Sequence, residues 1–522
     1  MKLFKIFTGT AILLATLSSC KKDLNLTPTN DLTSDVVYST PAGYKQVLAK
    51  VYASFATTSG SGSDKSDLGG IDAGTSDFIR LYWNAQELTT DEGLCVWNDP
   101  GVYELNYLTY SSENIILRGL YTRSLYQITV ANEFLRESTP EKLASRNITG
   151  TDATNIDAYR AEARFLRAYQ YWVLMDLFGN PPILTEENAI GIVSPKQIKR
   201  ADLFKYVESE LLAVEPLLLT TPEYGRASKG AADMLLSRLY LNAAVYTGTA
   251  KNTEAITYAS KVIAGNYTLQ SAYKNLFLAD NDVNNRETIF AINYDGNFTQ
   301  NYGGTTFIIN ASINTDMNPS SFGVPNGGWG GIHASSTLPA MFGTASATDQ
   351  RYMFFGTKAA NDDIGVFTDG LRVTKFKNIT QANITAPSTN GTFTSVDFPL
   401  FRLPEAYLNY AEAVLRGGTG GTTAMAITYV NLLRRRAYGN DSGNVSSLTL
   451  DNLLTERAKE FYWEGYRRTD LVRFGKFTDG SYLWPFKGGV NAGRAVDATR
   501  SIFPLPSADI IANTNLVQNP GY

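Results

Sequence analysis

The sequence predicts a mainly α protein, a scaffold of paired amphipathic helices that carries a large loop-rich, partly β insertion. Three observations predict it. Apolar residues recur at steps of three and four through a series of segments before Asp280 and after Phe398, as they do in helices with one buried face. Between those two residues the helical period is lost, and short strand-like runs, Glu287–Asn293 and Leu371–Lys377, alternate with Gly, Asn and Thr. Inside this interval, Asn301–Gly331 holds seven Gly and five Asn among its 31 residues. That composition predicts no helix, because Gly costs about 1 kcal/mol per helical position relative to Ala. Asn, Ser and Thr side chains also compete for the backbone.

The chain opens MKLFKIFTGTAILLATLSSC. Lys2 and Lys5, an apolar run from Ile6 to Leu17 and a few small residues read as a secretory signal peptide over residues 1–19, too short to span a bilayer. Leu17-Ser18-Ser19-Cys20 resembles the lipobox of bacterial lipoproteins, which implies cleavage before Cys20 and acylation of that cysteine. Several acyl chains on Cys20 would give a stable membrane anchor, and Cys95 would be left without a disulfide partner. Residues 20–40 are polar and poor in core residues, and read as a tether.

Residues 41–280 form the first helical region, with a loop over 57–110. Pro41–Phe55 places Tyr44, Val47, Leu48, Val51, Tyr52 and Phe55 on one face, with Pro at a permitted first-turn position. The Gly/Ser/Asp-rich break that follows leads into Asp77–Gly101, which contains Trp83 and Trp97 and shows no sustained helical period. Helical pattern returns at Ser111–Glu137 and is clearest at Ala158–Phe178, where Ala161, Phe165, Ala168, Trp172 and Met175 form a stripe and Gly179-Asn180-Pro181-Pro182 stops the helix. Leu203–Leu219, Lys229–Tyr246 and Thr253–Gly265 follow. After an insertion over 281–400, residues 401–522 supply Glu405–Arg416, Ala424–Tyr438 and Leu450–Phe474. Successive helices paired by short turns resemble tetratricopeptide units, although the 34-residue spacing of that repeat is only loosely kept. Trp172 and Trp463 fall on helices and read as core.

Composition removes several function classes. The 46 basic and 50 acidic residues give a net charge of −4, which offers nucleic acid no bulk electrostatic attraction. With His333 as the sole histidine, no His-based zinc site can be assembled, and any Ser-His-Asp device would have to use that one residue. It reads as a solvated loop histidine. The clusters Arg434-Arg435-Arg436 and Arg467-Arg468 lie at helical neighbour spacing from Glu456, Glu460, Glu464 and Asp470, and read as structural salt links. Asp280-Asn281-Asp282-Val283-Asn284 begins like a calcium loop, but Asn285 and Ala291 stand where an EF-hand needs Gly and Glu.

Read together, several segments resemble one family. They are the lipobox, RAEARFLRAYQYWVLMDLFGNPPI from Arg160, PLFRLPEAYLNYAEA from Pro399, ERAKEFYWEGYRRTDLVRFGKF from Glu456 and FPLPSADIIANTNLVQNPGY from Phe503. The chain is identified by these as a member of the SusD/RagB family of Bacteroidetes outer-membrane glycan-binding lipoproteins. The resemblance implies a tetratricopeptide-like helical part, a cell-surface location, and a SusC-like TonB-dependent transporter as partner. GGIDAGTSDFIRLYWNAQELTTDEGLCVW, NYGGTTF and NGGW are most similar to the family's starch-binding member.

That similarity implies binding of starch or other α-glucan oligosaccharides without cleavage or a catalytic cofactor. An aromatic arc would be formed by Trp97, Tyr302 and Trp329, with hydrogen bonds from Asp72 and Arg80. The relative's contacting Asn lies a few residues farther on; here the segment reads Asn98-Asp99-Pro100-Gly101, and Asn98 is the substitute. The resemblance also implies a structural calcium, with Asp282, Asn284 and Asp397 as its ligands. The residue types suit the task. A flat aromatic covers the apolar C–H face of a sugar, and Arg donates parallel hydrogen bonds to adjacent hydroxyls. Two alternatives stay open at this point: a different glycan or a peptide on the same scaffold, and a glycoside hydrolase using two of the acidic side chains.

Overall fold

A computed structural model describes residues 33–188, 191 and 194–522. The signal peptide, Cys20 and the tether up to residue 32 lie outside the described residues. The fold is mainly α, and its helices stack in sequence. Helix α1 (Pro41–Ala53) starts on a Thr40 cap and lies on α3 (Ile115–Glu137) and α4 (Gly150–Phe178). The stack runs on through α5 (Arg200–Val214), α6 (Lys229–Leu241) and α7 (Asn252–Ile263). Helix α7 then packs against α9 (Leu403–Leu415), which packs on α10 (Thr423–Tyr438). The helical stack therefore continues across the residues between α7 and α9 as though they were spliced in.

Two strands close that splice. Strand β2 (Thr288–Ile292) pairs antiparallel with β6 (Phe398–Arg402), Thr288 opposite Arg402 and Ile292 opposite Phe398, with a bulge between. A buried ionic cluster ties this part to the C-terminal helices. Arg402 meets Glu287 at 2.6 Å and Glu464 at 2.7 Å, Lys375 meets Glu464 at 2.7 Å, and Arg436 meets Glu287 at 2.8 Å. Burial pushes the Glu460 carboxyl up, but Arg436, Arg402 and Arg351 outweigh it and bring it to about 2. Of the basic runs, Arg434 meets Glu456 and Arg436 meets Glu460 as their spacing implies, whereas Arg467 pairs with the distant Asp91 at 2.7 Å and Arg468 donates to the Arg500 carbonyl at 2.9 Å. Removing one partner from such a cluster strands a buried charge, at a cost of about 3–5 kcal/mol.

The structure departs from the sequence reading at several helices. From Ala161 onward α4 is buried on nearly every side, not along one stripe, because it is the central rod of the stack. The expected helix over Leu450–Phe474 is two, α11 (Leu450–Phe461) and α12 (Arg467–Arg473), separated where Trp463 and Gly465 take positive φ. Two further helices stand where loops are expected, α2 (Phe78–Glu87) and α8 (Gly304–Ser312), and they pack on each other. Every residue of α2 except Arg80 is buried, and so is every residue of α8. Among the described residues, no helix is long and apolar enough to cross a membrane.

Candidate functional site

Asp77 joins these two helices at their N-termini. Its Oδ1 accepts from the Arg80 N–H at 2.9 Å and from the Gly304 N–H at 2.8 Å, and its Oδ2 accepts from the Tyr294 hydroxyl at 3.3 Å. One carboxylate thus caps α2 and satisfies the first amide of α8. A Cβ at Gly303 would collide with Asp77, so a side chain there would prise the joint open. Tyr302 leads into α8 directly above it.

The other end of α8 holds Trp329. Its amide donates to the Asn310 carbonyl at 2.6 Å, and the Asn310 side-chain amide donates to the Thr392 carbonyl at 3.1 Å. Trp97 arrives by a third route. Strand β1 (Gly93–Cys95) pairs antiparallel with β3 (Ile332–Ala334), Cys95 opposite Ile332, and the ladder continues as Val96 N–H to the Gly331 carbonyl at 2.8 Å. Trp97 follows β1 and Trp329 precedes β3, so this short ladder brings both indoles to one cleft.

Phe307, buried in the middle of α8, supports Arg80 and Trp97 from beneath. The Arg80 guanidinium carbon stands 4.3 Å above its ring, and Trp97 lies 6.3 Å from it at 58°. Tyr302 stands 6.4 Å from Trp329 at 41° and is backed by Phe393 at 5.1 Å. The result is an open cleft of about 590 Å³ lined by Arg80, Val96, Trp97, Asn98, Asp99, Trp329 and Phe367. The structure brings Arg80, Trp97, Asn98 and Trp329 to this cleft. Tyr302, 37% exposed, stands at its edge beside Trp329. Asp72 is exposed on the turn before α2, where its Oδ1 accepts from the Thr75 N–H at 3.2 Å.

Arg80 is the polar centre. Burial lowers its guanidinium from the usual value, and the carboxylates of Asp72, Asp77 and Asp99 oppose that. One Nη donates weakly to the Tyr302 carbonyl at 3.4 Å, and Nε is buried without a partner. Nε is closed off, and because the side chain is half-buried at the cleft, its terminal N–H groups are the donors that can meet a ligand oxygen.

Residues 321–522 match the family model described as SusD family, and residues 83–241 match one described as starch-binding associating with outer membrane. The chain is 34% identical to the starch-binding protein SusD of Bacteroides thetaiotaomicron, over 98% of this chain and 97% of the relative. The chain belongs to the SusD/RagB family. The SusD-like fold extends to solved structures of lower identity. A SusD superfamily protein from Bacteroides thetaiotaomicron is 21% identical with a TM-score of 0.71, covering 92% of this chain and 100% of that one. Surface glycan-binding protein A from the same species, solved with laminarihexaose, is also 21% identical with a TM-score of 0.69, covering 92% and 99%.

Two readings of this SusD-family sequence need correction or extension. His333 is not a solvated loop residue. It is buried in β3 opposite Leu94, its Nδ1 meets the Asp369 carbonyl, and burial lowers it to about 3, so it stays neutral. Phe307 and Phe367 escape sequence reasoning: Phe307 reads as part of a loop, and no motif marks Phe367.

The expected calcium ligands lie apart from the cleft. Asp397 is buried, its Oδ1 accepts from the Tyr294 N–H at 2.8 Å, and burial together with the Asp282 carboxylate pushes it up to about 7. Asn284 turns in the left-handed region at φ 54° and is exposed. Among the described residues, no group of three or more His, Cys, Asp or Glu has metal-binding geometry. Asp282 and Asp397, close enough to act on each other's charge, still offer carboxylate oxygens of the kind a hard cation takes.

Proposed function

We propose that this chain is a non-catalytic cell-surface lipoprotein that binds starch-like α-glucan oligosaccharides and passes them to a SusC-like TonB-dependent transporter. The observation that carries the reading is the meeting of Trp97, Trp329 and Tyr302 around α8, beside the guanidinium of Arg80. The indoles and the phenol present faces for successive sugar rings. Arg80, Asn98 and Asp72 supply the hydrogen bonds that sugar hydroxyls lose on leaving water. Binding without cleavage is favoured by the full-length similarity to a relative named for binding starch.

The choice of α-glucan rests on the full-length similarity to a protein named for starch binding. Surface display rests on the lipobox at Cys20 and on the family description that mentions the outer membrane. Asp282, Asn284 and Asp397 would hold a structural calcium, which neutralises two carboxylates and takes no part in binding. The test is affinity electrophoresis on amylose, β-glucans and inulin, with analysis for released sugars. Retardation on amylose with no products supports the reading, and released oligosaccharides would move the chain to the enzymes. A Cys20→Ala chain that still anchors in the outer membrane would overturn the lipid attachment.

A further inference from the structure

Phe367 lies in the segment between Gly356 and Gly370, far in sequence from every motif that marks the cleft. It nevertheless lines the cleft together with Trp97 and Trp329, and it is 45% exposed. An exposed phenylalanine on a loop is ordinary unless something fixes its position. Here something does. Arg372, buried at the start of β5 (Arg372–Val373), donates to the Phe367 carbonyl and, through its other terminal nitrogen, to the Gly330 carbonyl at 2.9 Å. A single guanidinium thus ties the backbone of Phe367 to the residue that follows Trp329. The loop is braced again at Asp369, whose Oδ2 accepts from the Asp362 N–H at 3.0 Å and the Asp363 N–H at 3.2 Å. Burying a guanidinium to hold two loop carbonyls is expensive, and what it achieves is a fixed position for Phe367 relative to the indoles.

We infer that Phe367 is a fourth stacking platform, extending the glycan site beyond Trp97, Trp329 and Tyr302. Asp99, also in the lining and close enough to Arg80 to act on its charge, is a carboxylate acceptor for sugar hydroxyls in the same cleft. The inference rests on the α-glucan reading above and adds to it a preference for length. An oligosaccharide long enough to reach Phe367 gains a contact that a short one cannot make.

The test is calorimetry on the full chain with α-1,4 oligosaccharides of increasing length, comparing wild type, Phe367→Ala and Phe367→Tyr. Phe367→Ala is expected to leave the affinity for the shortest bound oligosaccharide within about twofold and to weaken the longest about tenfold, flattening the length dependence. Phe367→Tyr, which keeps a ring face, is expected to restore that dependence. Equal affinities for wild type and Phe367→Ala at every length would overturn the inference alone, as would a uniform loss at all lengths with an unchanged slope. Absence of binding by the wild type at every length would overturn the α-glucan reading and this inference with it.

Discussion

The indole of Trp97 lies against the backbone of Gly331, so closely that a Cβ at residue 331 would overlap its six-membered ring. Gly331 lies opposite Val96, the residue before Trp97, in the continuation of the β1–β3 ladder, where the Val96 N–H reaches the Gly331 carbonyl at 2.8 Å. Gly331 is therefore a space requirement for the ring. Gly331→Ala is expected to displace Trp97 and lower glycan affinity at least tenfold, about 1.4 kcal/mol. The melting temperature should fall as well, because β1 and β3, which the displaced ring adjoins, are buried at every position. Calorimetry alongside thermal melting checks this, and an unchanged affinity would show that Trp97 needs no such seat.

Arg80 rests on Phe307 and holds an unpaired Nε in a site that Asp72 and Asp99 make acidic. Its planar fork, more than its charge, is what hydroxyl pairs require. Arg80→Lys keeps the charge and is expected to weaken binding about tenfold, with Arg80→Ala weaker still. Equal affinity in Arg80→Lys and wild type would remove Arg80 from the polar contacts.

Asp77 separates two roles of one carboxylate. As the acceptor for the amides of Arg80 and Gly304, it can be replaced by an amide oxygen but not by a methyl group. Asp77→Asn should fold and bind nearly as wild type. Asp77→Ala should lose about 1–2 kcal/mol of stability through the missing cap and weaken binding, because Arg80 and Tyr302 move together. Denaturant unfolding of the two variants, followed by titration with glycan, reads both effects.

The calcium reading has a definite pH signature. In the folded chain Asp397 is pushed up to about 7 from an ordinary 3.8, first by burial and then by Asp282. A folded value above the unfolded one means that the native state holds the proton between about pH 4 and 7. The stability contribution is therefore lost as pH rises through that window. Calcium bound between Asp282 and Asp397 cancels this loss. Chelated protein should be less stable at about pH 8 than at about pH 5, and calcium should raise the melting temperature at about pH 8 far more than at about pH 5. Asp397→Asn should abolish the calcium effect. A calcium effect that is absent at both pH values would contradict the assignment of Asp282, Asn284 and Asp397.

Much of the scaffold is legible in the sequence, because helices such as α1, α7 and α10 bury one face and show it as a three-and-four step. The helices that build the site are not legible, and for a common reason. In α2 every residue but Arg80 is buried, so Trp83, Asn84, Gln86 and Glu87 all count as interior and no polar stripe remains to mark a period. In α8 the residues GTTFIINAS have poor helix propensity; burial of all nine and the acceptor supplied by Asp77 override it. The cap at Asp77, three residues before Arg80, is the signal that a closer reading would have used. The meeting of Trp97 with Trp329 needs the β1–β3 pairing, and three-residue strands leave almost no pattern in sequence. His333 misleads for the same reason, since its burial comes from that pairing and not from its Gly-rich neighbours.

The central claim is that Trp97 and Trp329 form the binding surface for α-glucan. Calorimetric titration of wild type, Trp97→Ala and Trp329→Ala with a long α-1,4 oligosaccharide tests it most directly. Loss of one stacking ring is expected to remove on the order of 2 kcal/mol, about a thirtyfold rise in Kd, while each variant stays folded. Affinities unchanged from wild type in both variants would contradict the account.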